Sequence, residues 1–264
     1  MTEINSEVVK EYGLKAGAAV VGIAASKDFI MSLDGFKPSD HLEGCLSVIV
    51  FGAPFPQEAL KSNAEYTLAR KEVIEKTNGI AKEVAKQIKS DGYKAKDISG
   101  CGGKFIDGKN YGHISLKHAA ELAGLGIIGR NYLLTNDRYG NLLWFTAVLT
   151  DADLVPDEKA QYRICDNCNI CVEACPSGAL GDHASFGNKK CDNVCFKMVD
   201  KKWEMSCFLC RTMCPYCFGK ETETLSKKEM YAMLLKEYEE CKDEGRECYL
   251  EELIEELRKD LESG

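Results

Sequence analysis

The spacing of apolar positions divides this chain before any motif is considered. The opening VVKEYGLK carries its apolar residues at helical intervals, and the Val-rich run from about Ala18 to Ala24 that follows predicts a buried strand. A second unbroken apolar run, Leu46 to Phe51, predicts another. Between about Gln57 and Asp91, Ile74, Ile80, Val84 and Ile88 recur on one face with Lys and Glu on the other. That is the pattern of a long amphipathic helix, with Gly92 as its stop. Beyond it, a short strand is expected at Tyr93 to Ile98, then a loop rich in Gly and Lys, a helix at about Ser115 to Leu122, and a strand at Leu142 to Thr150. Helices mixed with strands up to about Asp157 predict an α+β fold. The stretch Ser226 to Ser263, dense in Glu, Lys and Leu, predicts a C-terminal helix.

Composition narrows the function. A chain of 264 residues with 45% hydrophobic content can bury a full core, and a net charge of -8 disfavours a grip on nucleic acid or on an anionic membrane. The opening MTEINSEVVKEYG is polar and acidic, and no run of 18 apolar residues occurs. A soluble, cytoplasmic protein with no membrane partner is therefore expected. Fourteen cysteines in such a chain point to metal rather than to a disulfide framework. Ten of them fall between Cys165 and Cys217, whereas only Cys45 and Cys101 precede that stretch. Three segments follow: 1–157, a cysteine-rich 158–220, and a tail over 221–264.

Cys165, Cys168, Cys171 and Cys175, with Pro176 after the last, form C-x2-C-x2-C-x3-C-P, the run of bacterial two-cluster ferredoxins. Three thiolates two residues apart can converge on three corners of one cubane, while the fourth reaches the neighbouring cluster. Zinc needs only four thiolates, and the partial recurrence downstream favours clusters over zinc. That recurrence is Cys207, Cys210, Cys214 and Pro215, which lacks a leading cysteine. Cys195 is the best-spaced donor and Cys191 the alternative. Crosswise ligation then assigns Cys165, Cys168, Cys171 and Cys214 to one [4Fe-4S] cluster and Cys175, Cys195, Cys207 and Cys210 to the other. Cys217 is left over, and Cys241 and Cys248 sit in the tail at a spacing no cluster motif uses.

Gly124, Gly126 and Gly129 satisfy G-x-G-x-x-G, but a helical stretch runs into these glycines where a dinucleotide fingerprint needs a strand. A helix C-cap with a tight turn is the better reading. The larger passage, KHAAELAGLGIIGRNYLLTNDRYGNLLWFTAVLTDADLVPDE, followed by the cluster run, resembles the epoxyqueuosine reductase and reductive dehalogenase superfamily. AAVVGIAAS, HLEGCLSVIVFG and EYTLARKEVIEKTNGIAKEVAKQI are similar to it as well.

The resemblance implies a nitroreductase-like α/β domain that can bind cobalamin, followed by a two-cluster ferredoxin-like module. It also implies reductive removal of an oxygen or leaving group by electrons passed through the clusters to the corrin. Gly124, Gly126, Gly129, Arg130 and Asn131 would then meet cobalamin, a ferredoxin or flavodoxin would donate electrons, and a small molecule or modified nucleoside would be the substrate. Where the family typically carries an acidic residue before this passage, the chain has Asn110 and Tyr111. Tyr111 is accordingly the candidate proton donor, a phenol that holds a proton without standing charge. His113 is a second titratable group nearby, and His118 is read as a packed histidine. The reading from another class is an electron-transfer protein without cobalamin or substrate chemistry.

Overall fold

Apolar residues dominate the strands that meet in the middle of the sheet, which is why those strands are buried on both faces. The computed structural model describes residues 4–106, 109–166, 168–181, 188–219, 226–243, 245 and 250–263. The chain starts with α1 (Ser6–Lys15), whose first turn is capped by the Asn5 side chain accepting from the Val8 N–H. There follow β1 (Val20–Ala25), α2 (Pro38–His41), β2 (Ser47–Pro54), α3 (Asn63–Ser90) and β3 (Ala95–Ile98). The Gly- and Lys-rich loop holds a hairpin of β4 (Lys104–Ile106) and β5 (Lys109–Tyr111) that the apolar pattern did not announce. Then come α4 (Leu116–Leu122), the two-residue strands β6 (Ile127–Ile128) and β7 (Leu134–Thr135), and β8 (Leu143–Thr150).

The chain divides into two compact units that do not follow sequence order. One comprises residues 1–56, 68–128 and 143–162, the other 57–67, 129–142 and 163–264. In the first, a four-stranded antiparallel sheet has the order β1-β2-β8-β3. Ser47 of β2 pairs with Thr150 of β8, and Ala95 of β3 pairs with the same threonine from the other side. Ile80, Val84 and Ile88 of α3 pack with Val9, Ile23, Ile49, Phe51 and Val148 into one core. The helix thus uses the face its periodicity predicted, although it begins at Asn63, with a 3-10 turn over Gln57–Lys61 in front of it.

The second unit holds the cysteine segment. Its elements are α5 (Ile170–Glu173), α6 (Asn188–Cys195), the hairpin β9 (Phe196–Val199) and β10 (Lys202–Met205), α7 (Leu209–Thr212), α8 (Lys227–Asp243) and α9 (Glu251–Ser263). The tail is two helices instead of the single one expected, with Gly245 in the left-handed region at φ +65 between them. An ion pair of Lys227 with Asp260 at 2.6 Å joins the start of one to the end of the other. Leu234 of α8, Leu250 just before α9 and Ile254 of α9 pack with Ala174, Leu209 and Met213 of the cysteine segment. Among the described residues, no helix is long and apolar enough to cross a membrane.

Candidate metal centre

The short helices α5 and α7 each begin one residue after an N-cap position and last a single turn, so cysteines three apart on them and on the preceding loops point the same way. The result is a cavity lined by the thiols of Cys165, Cys168, Cys171 and Cys214 together with Gly129 and Arg130. The backbone N–H of Arg130 donates to the Cys165 Sγ at 3.4 Å. The N–H of Tyr216 and the side chain of Asn141 donate to the Cys214 sulfur. A Cβ added at Gly129 would lie 3.1 Å from the Asn131 Oδ1 and 3.3 Å from the Cys165 Sγ, so a side chain there would crowd this thiol. The Arg130 Nε is buried there without a hydrogen-bond partner.

Burial pushes the Cys171 thiol up to about 12, reinforced by Cys214, Cys210, Cys165 and Cys168 around it. Burial raises Cys214 as well. A negative charge on the Cys171 or Cys214 sulfur is thus disfavoured unless a positive charge compensates it, and an iron core would supply one. The donor set, with N–H groups aimed at sulfur and a buried guanidinium nitrogen beside it, fits a thiolate-bound cluster. Among the described residues, no three His, Cys, Asp or Glu side chains gather closely enough to hold one metal ion.

A second group of thiols adjoins Cys171. Cys171 and Cys175 are buried with Ala179 and Leu180, and Cys191 and Cys210 pack against them. Cys195 and Cys191 sit on α6, and the neighbouring Cys191 thiol, then burial, raises Cys195 far above its ordinary value. Cys207 is also raised well above the usual thiol range, first by burial and then by the carboxylate of Glu237, while the N–H of Leu209 opposes the shift. Two contacts hold the chain on either side of Cys207. Phe208 stacks on Tyr66 with ring centroids 4.4 Å apart, and the Met205 N–H donates to the Thr67 Oγ1 at 2.9 Å. This second group contains Cys175, Cys195, Cys207 and Cys210, and Cys191 stands among them.

The remaining sequence candidates divide between the two units. Gly129, Arg130 and Asn131 belong to the second, where the Asn131 Nδ2 donates to the Cys210 carbonyl at 2.9 Å. Gly124 and Gly126 belong to the first. Gly124, at φ +72, ends α4: its N–H donates to the Glu121 carbonyl and that of Leu125 to the Ala120 carbonyl, a paired helix stop. A Cβ there would lie 2.2 Å from the Glu158 carbonyl. Gly126 is buried at φ 156.

Tyr111, in the first unit, is half-buried at the end of β5 with its ring 5.4 Å from that of Phe36. Nearby, the His41 Nε2 lies 2.6 Å from the His113 carbonyl, and the two imidazoles meet edge to face. His118 is not packed: it is exposed, with its Nδ1 2.6 Å from the Ser115 Oγ, because it lies on the outer side of α4 while Ala119 and Ala120 take the inner side.

Of the leftover cysteines, Cys217 is buried close to the first thiol group. Burial pushes it up to about 12, against the pull of the Arg211 guanidinium. Cys241 is buried in α8 and donates to the Glu237 Oε1 at 3.8 Å, so it is a core residue of the tail. Cys248 lies outside the described residues. Sequence reasoning missed Asn141, Arg211 and Glu237. Arg211 donates to the Asn141 carbonyl, and the Asn141 Nδ2 donates back to the Arg211 carbonyl at 3.0 Å. Arg211, inside the second cysteine motif, was the one with a signal, since a charge there is rarely buried without a partner.

No family model matches the chain. An epoxyqueuosine reductase of Listeria monocytogenes is 31% identical over 120 residues, which is 42% of this chain and 31% of that protein. The chain therefore matches about a third of that relative's length. The crystal structure of an epoxyqueuosine reductase with an epoxyqueuosine-modified tRNA-Tyr stem loop aligns with a TM-score of 0.53 at 18% identity, covering 80% of this chain and 63% of that one. A catabolic reductive dehalogenase in complex with 3-bromo-4-hydroxybenzoic acid aligns with a TM-score of 0.61 at 21% identity, covering 86% of this chain and 33% of that one.

Proposed function

We propose, from the resemblance of this chain in sequence and fold to the epoxyqueuosine reductase and reductive dehalogenase superfamily, that it is a reductase with two [4Fe-4S] clusters in a ferredoxin-like module. The observation that carries the proposal is the cavity lined by Cys165, Cys168, Cys171 and Cys214, with a backbone N–H donated to one of the sulfurs. Clusters bound there supply one-electron steps, and cobalamin, which the resemblance assigns to a nitroreductase-like domain, supplies two-electron reducing chemistry. Cys165, Cys168, Cys171 and Cys214 would hold the first cluster. Cys175, Cys207 and Cys210 would hold the second, with the fourth thiolate from α6. Donors from the Arg130, Leu209 and Tyr216 backbone and from Asn141 favour the more negative, reduced state by hydrogen-bonding its sulfurs.

Gly124, Gly126, Gly129, Arg130 and Asn131 come to cobalamin through the resemblance. Removing an epoxide oxygen or a leaving group takes two electrons and a proton, and Tyr111 would hold that proton on its phenol oxygen. A modified nucleoside or a small molecule is the substrate class, and a ferredoxin or flavodoxin is the electron donor, in keeping with a cytoplasmic location.

Anaerobically reconstituted protein is expected to carry about eight irons and eight labile sulfides per chain. It is also expected to change the visible spectrum of added cobalamin. Finding about four irons, or zinc instead, removes the two-cluster reading. Full iron with no spectral change under excess cobalamin assigns the chain to electron transfer without substrate chemistry.

A further inference from the structure

Among the described residues of the cysteine unit, three large apolar side chains are exposed, and two of them face each other across one hairpin: Met198, 53% exposed, and Trp203, 64% exposed, with Leu261 the third. Cross-strand partners share a face of a hairpin, and this face continues two residues inward to the half-buried pair Phe196 and Met205. The other face is engaged, since Lys197 reaches Glu240 of α8 at 3.9 Å. Asp200 and Lys201 join the strands, both in the left-handed region at φ 47 and 63. A two-residue turn of that kind matches the strand twist and fixes the register, so the tip is held in one shape. Among the described residues of α6 and the hairpin, the exposed charges are Lys190, Lys201 and Lys202 against Asp200, while Asp192, Lys197 and Glu204 are half-buried. This part of the surface is therefore positive, although the whole chain carries -8.

We infer that the β9–β10 hairpin is the docking surface for the protein that reduces this chain, a small acidic iron–sulfur protein seated on Met198 and Trp203. This rests on the two-cluster reading above. The hairpin leaves α6 at Cys195 and returns to Cys207, both members of the second thiol group, and the Ser206 N–H closes its base on the Cys195 carbonyl at 2.8 Å. Met198 stands three residues beyond Cys195, about 10 Å along an extended strand. A partner on the exposed pair is thus held a short strand's length from the second group. One electron passes from the donor's reduced cluster to the second cluster: the donor is oxidised by one, this chain is reduced by one, and no bond or proton is exchanged. Encounters that pass electrons use small interfaces, in which an aromatic anchor carries much of the affinity and complementary charge speeds the approach. Carboxylates on the donor would be drawn to Lys201 and Lys202, and a basic protein would be turned away.

The test uses the full chain, anaerobically reconstituted to about eight irons, with an acidic two-[4Fe-4S] ferredoxin as the probe. Calorimetry measures affinity at low and high salt. Stopped flow follows reduction of the chain by the reduced ferredoxin, and by dithionite as a small reductant that needs no docking. W203A is expected to weaken ferredoxin binding about tenfold, and K201E/K202E to slow reduction by ferredoxin about tenfold at low salt, a difference that closes at high salt. Both should keep wild-type iron and wild-type reduction by dithionite. The control K82E/K86E makes the same charge change on exposed lysines of α3 and should behave as wild type. Unchanged binding and rates in W203A and K201E/K202E overturn the inference, as do an equal loss in the α3 control and the absence of any binding to wild-type protein. So does a dimer of this chain, seen in sedimentation, that W203A dissolves, since the surface would then belong to a second copy. If W203A loses iron, M198A and K201E/K202E are read by the same rule. Wild-type protein with about four irons, or with zinc, sinks the two-cluster reading itself, whatever ferredoxin binding shows.

Discussion

At Cys217 the backbone is engaged more closely than the thiol. Its carbonyl accepts the Asn141 N–H at 3.1 Å. Gly140, at φ +56, comes so close that an added Cβ would lie 2.1 Å from the same oxygen. Asn141 in turn donates to the Cys214 sulfur, so this contact helps to set one wall of the first thiol group. Two single changes therefore have opposite expectations. Cys217→Ser should leave iron at the wild-type level, and a fall to about four irons would make Cys217 a ligand. Gly140→Ala should lower stability by more than about 1–2 kcal/mol, the strain of a left-handed alanine, since a backbone carbonyl must also move. Thermal unfolding measures it, and an unchanged midpoint would show that the loop yields freely. Neither Gly140 nor Asn141 stood out in the sequence, because a glycine beside an asparagine also marks any ordinary turn.

Among the elements, α8 has the clearest consequence for the metal site. Its Leu234 lies in the buried core against which Cys207 packs, and Glu237 of the same helix is buried with its carboxylate close enough to raise Cys207. A negative charge beside a cluster opposes adding an electron to it. Glu237→Gln is therefore expected to raise the midpoint potential of the second cluster by roughly tens of millivolts while leaving iron content unchanged. A potentiometric titration followed by electron paramagnetic resonance checks this, and an unaltered or lower potential would show that the carboxylate is neutral or screened. The helical period of the tail was legible in its sequence. That one of its glutamates faces inward was not, since the surrounding Glu and Lys residues read as a solvated face.

The whole molecule divides into two units, each with a core of its own. Fifteen buried residues form a sheet-and-helix core in the first unit, and in the cysteine unit Ala174, Leu209, Met213, Leu234, Leu250 and Ile254 form another. If the proposed clusters join its thiols, the second unit draws part of its stability from them. Two thermal transitions are expected in the cluster-loaded protein. Stripping iron by oxidation and chelation should lower or abolish one and leave the other near its original midpoint, since metal binding contributes folding free energy where thiolates are the scaffold. Calorimetry before and after iron removal decides it. A single transition that moves as a whole would mean that the two units unfold together.

The sequence by itself determined what depends on short-range order. Apolar periodicity located the β1, β2 and β8 strands and the inner face of α3, and the C-x2-C-x2-C-x3-C-P run marked three of the four thiols that line the first cavity. Only the tertiary structure decided the rest. Residues 57–67 and 129–142 joined the cysteine unit from distant parts of the chain. Gly129 was left against the Cys165 sulfur, while Gly124 served as a helix stop. On α6 the fold placed both Cys191 and Cys195 near Cys207, where spacing alone had favoured Cys195. Spacing constrains which neighbours a ligand motif can bring together locally. A donor separated from its motif by a helix and a hairpin is chosen by packing and burial, which a linear pattern does not encode.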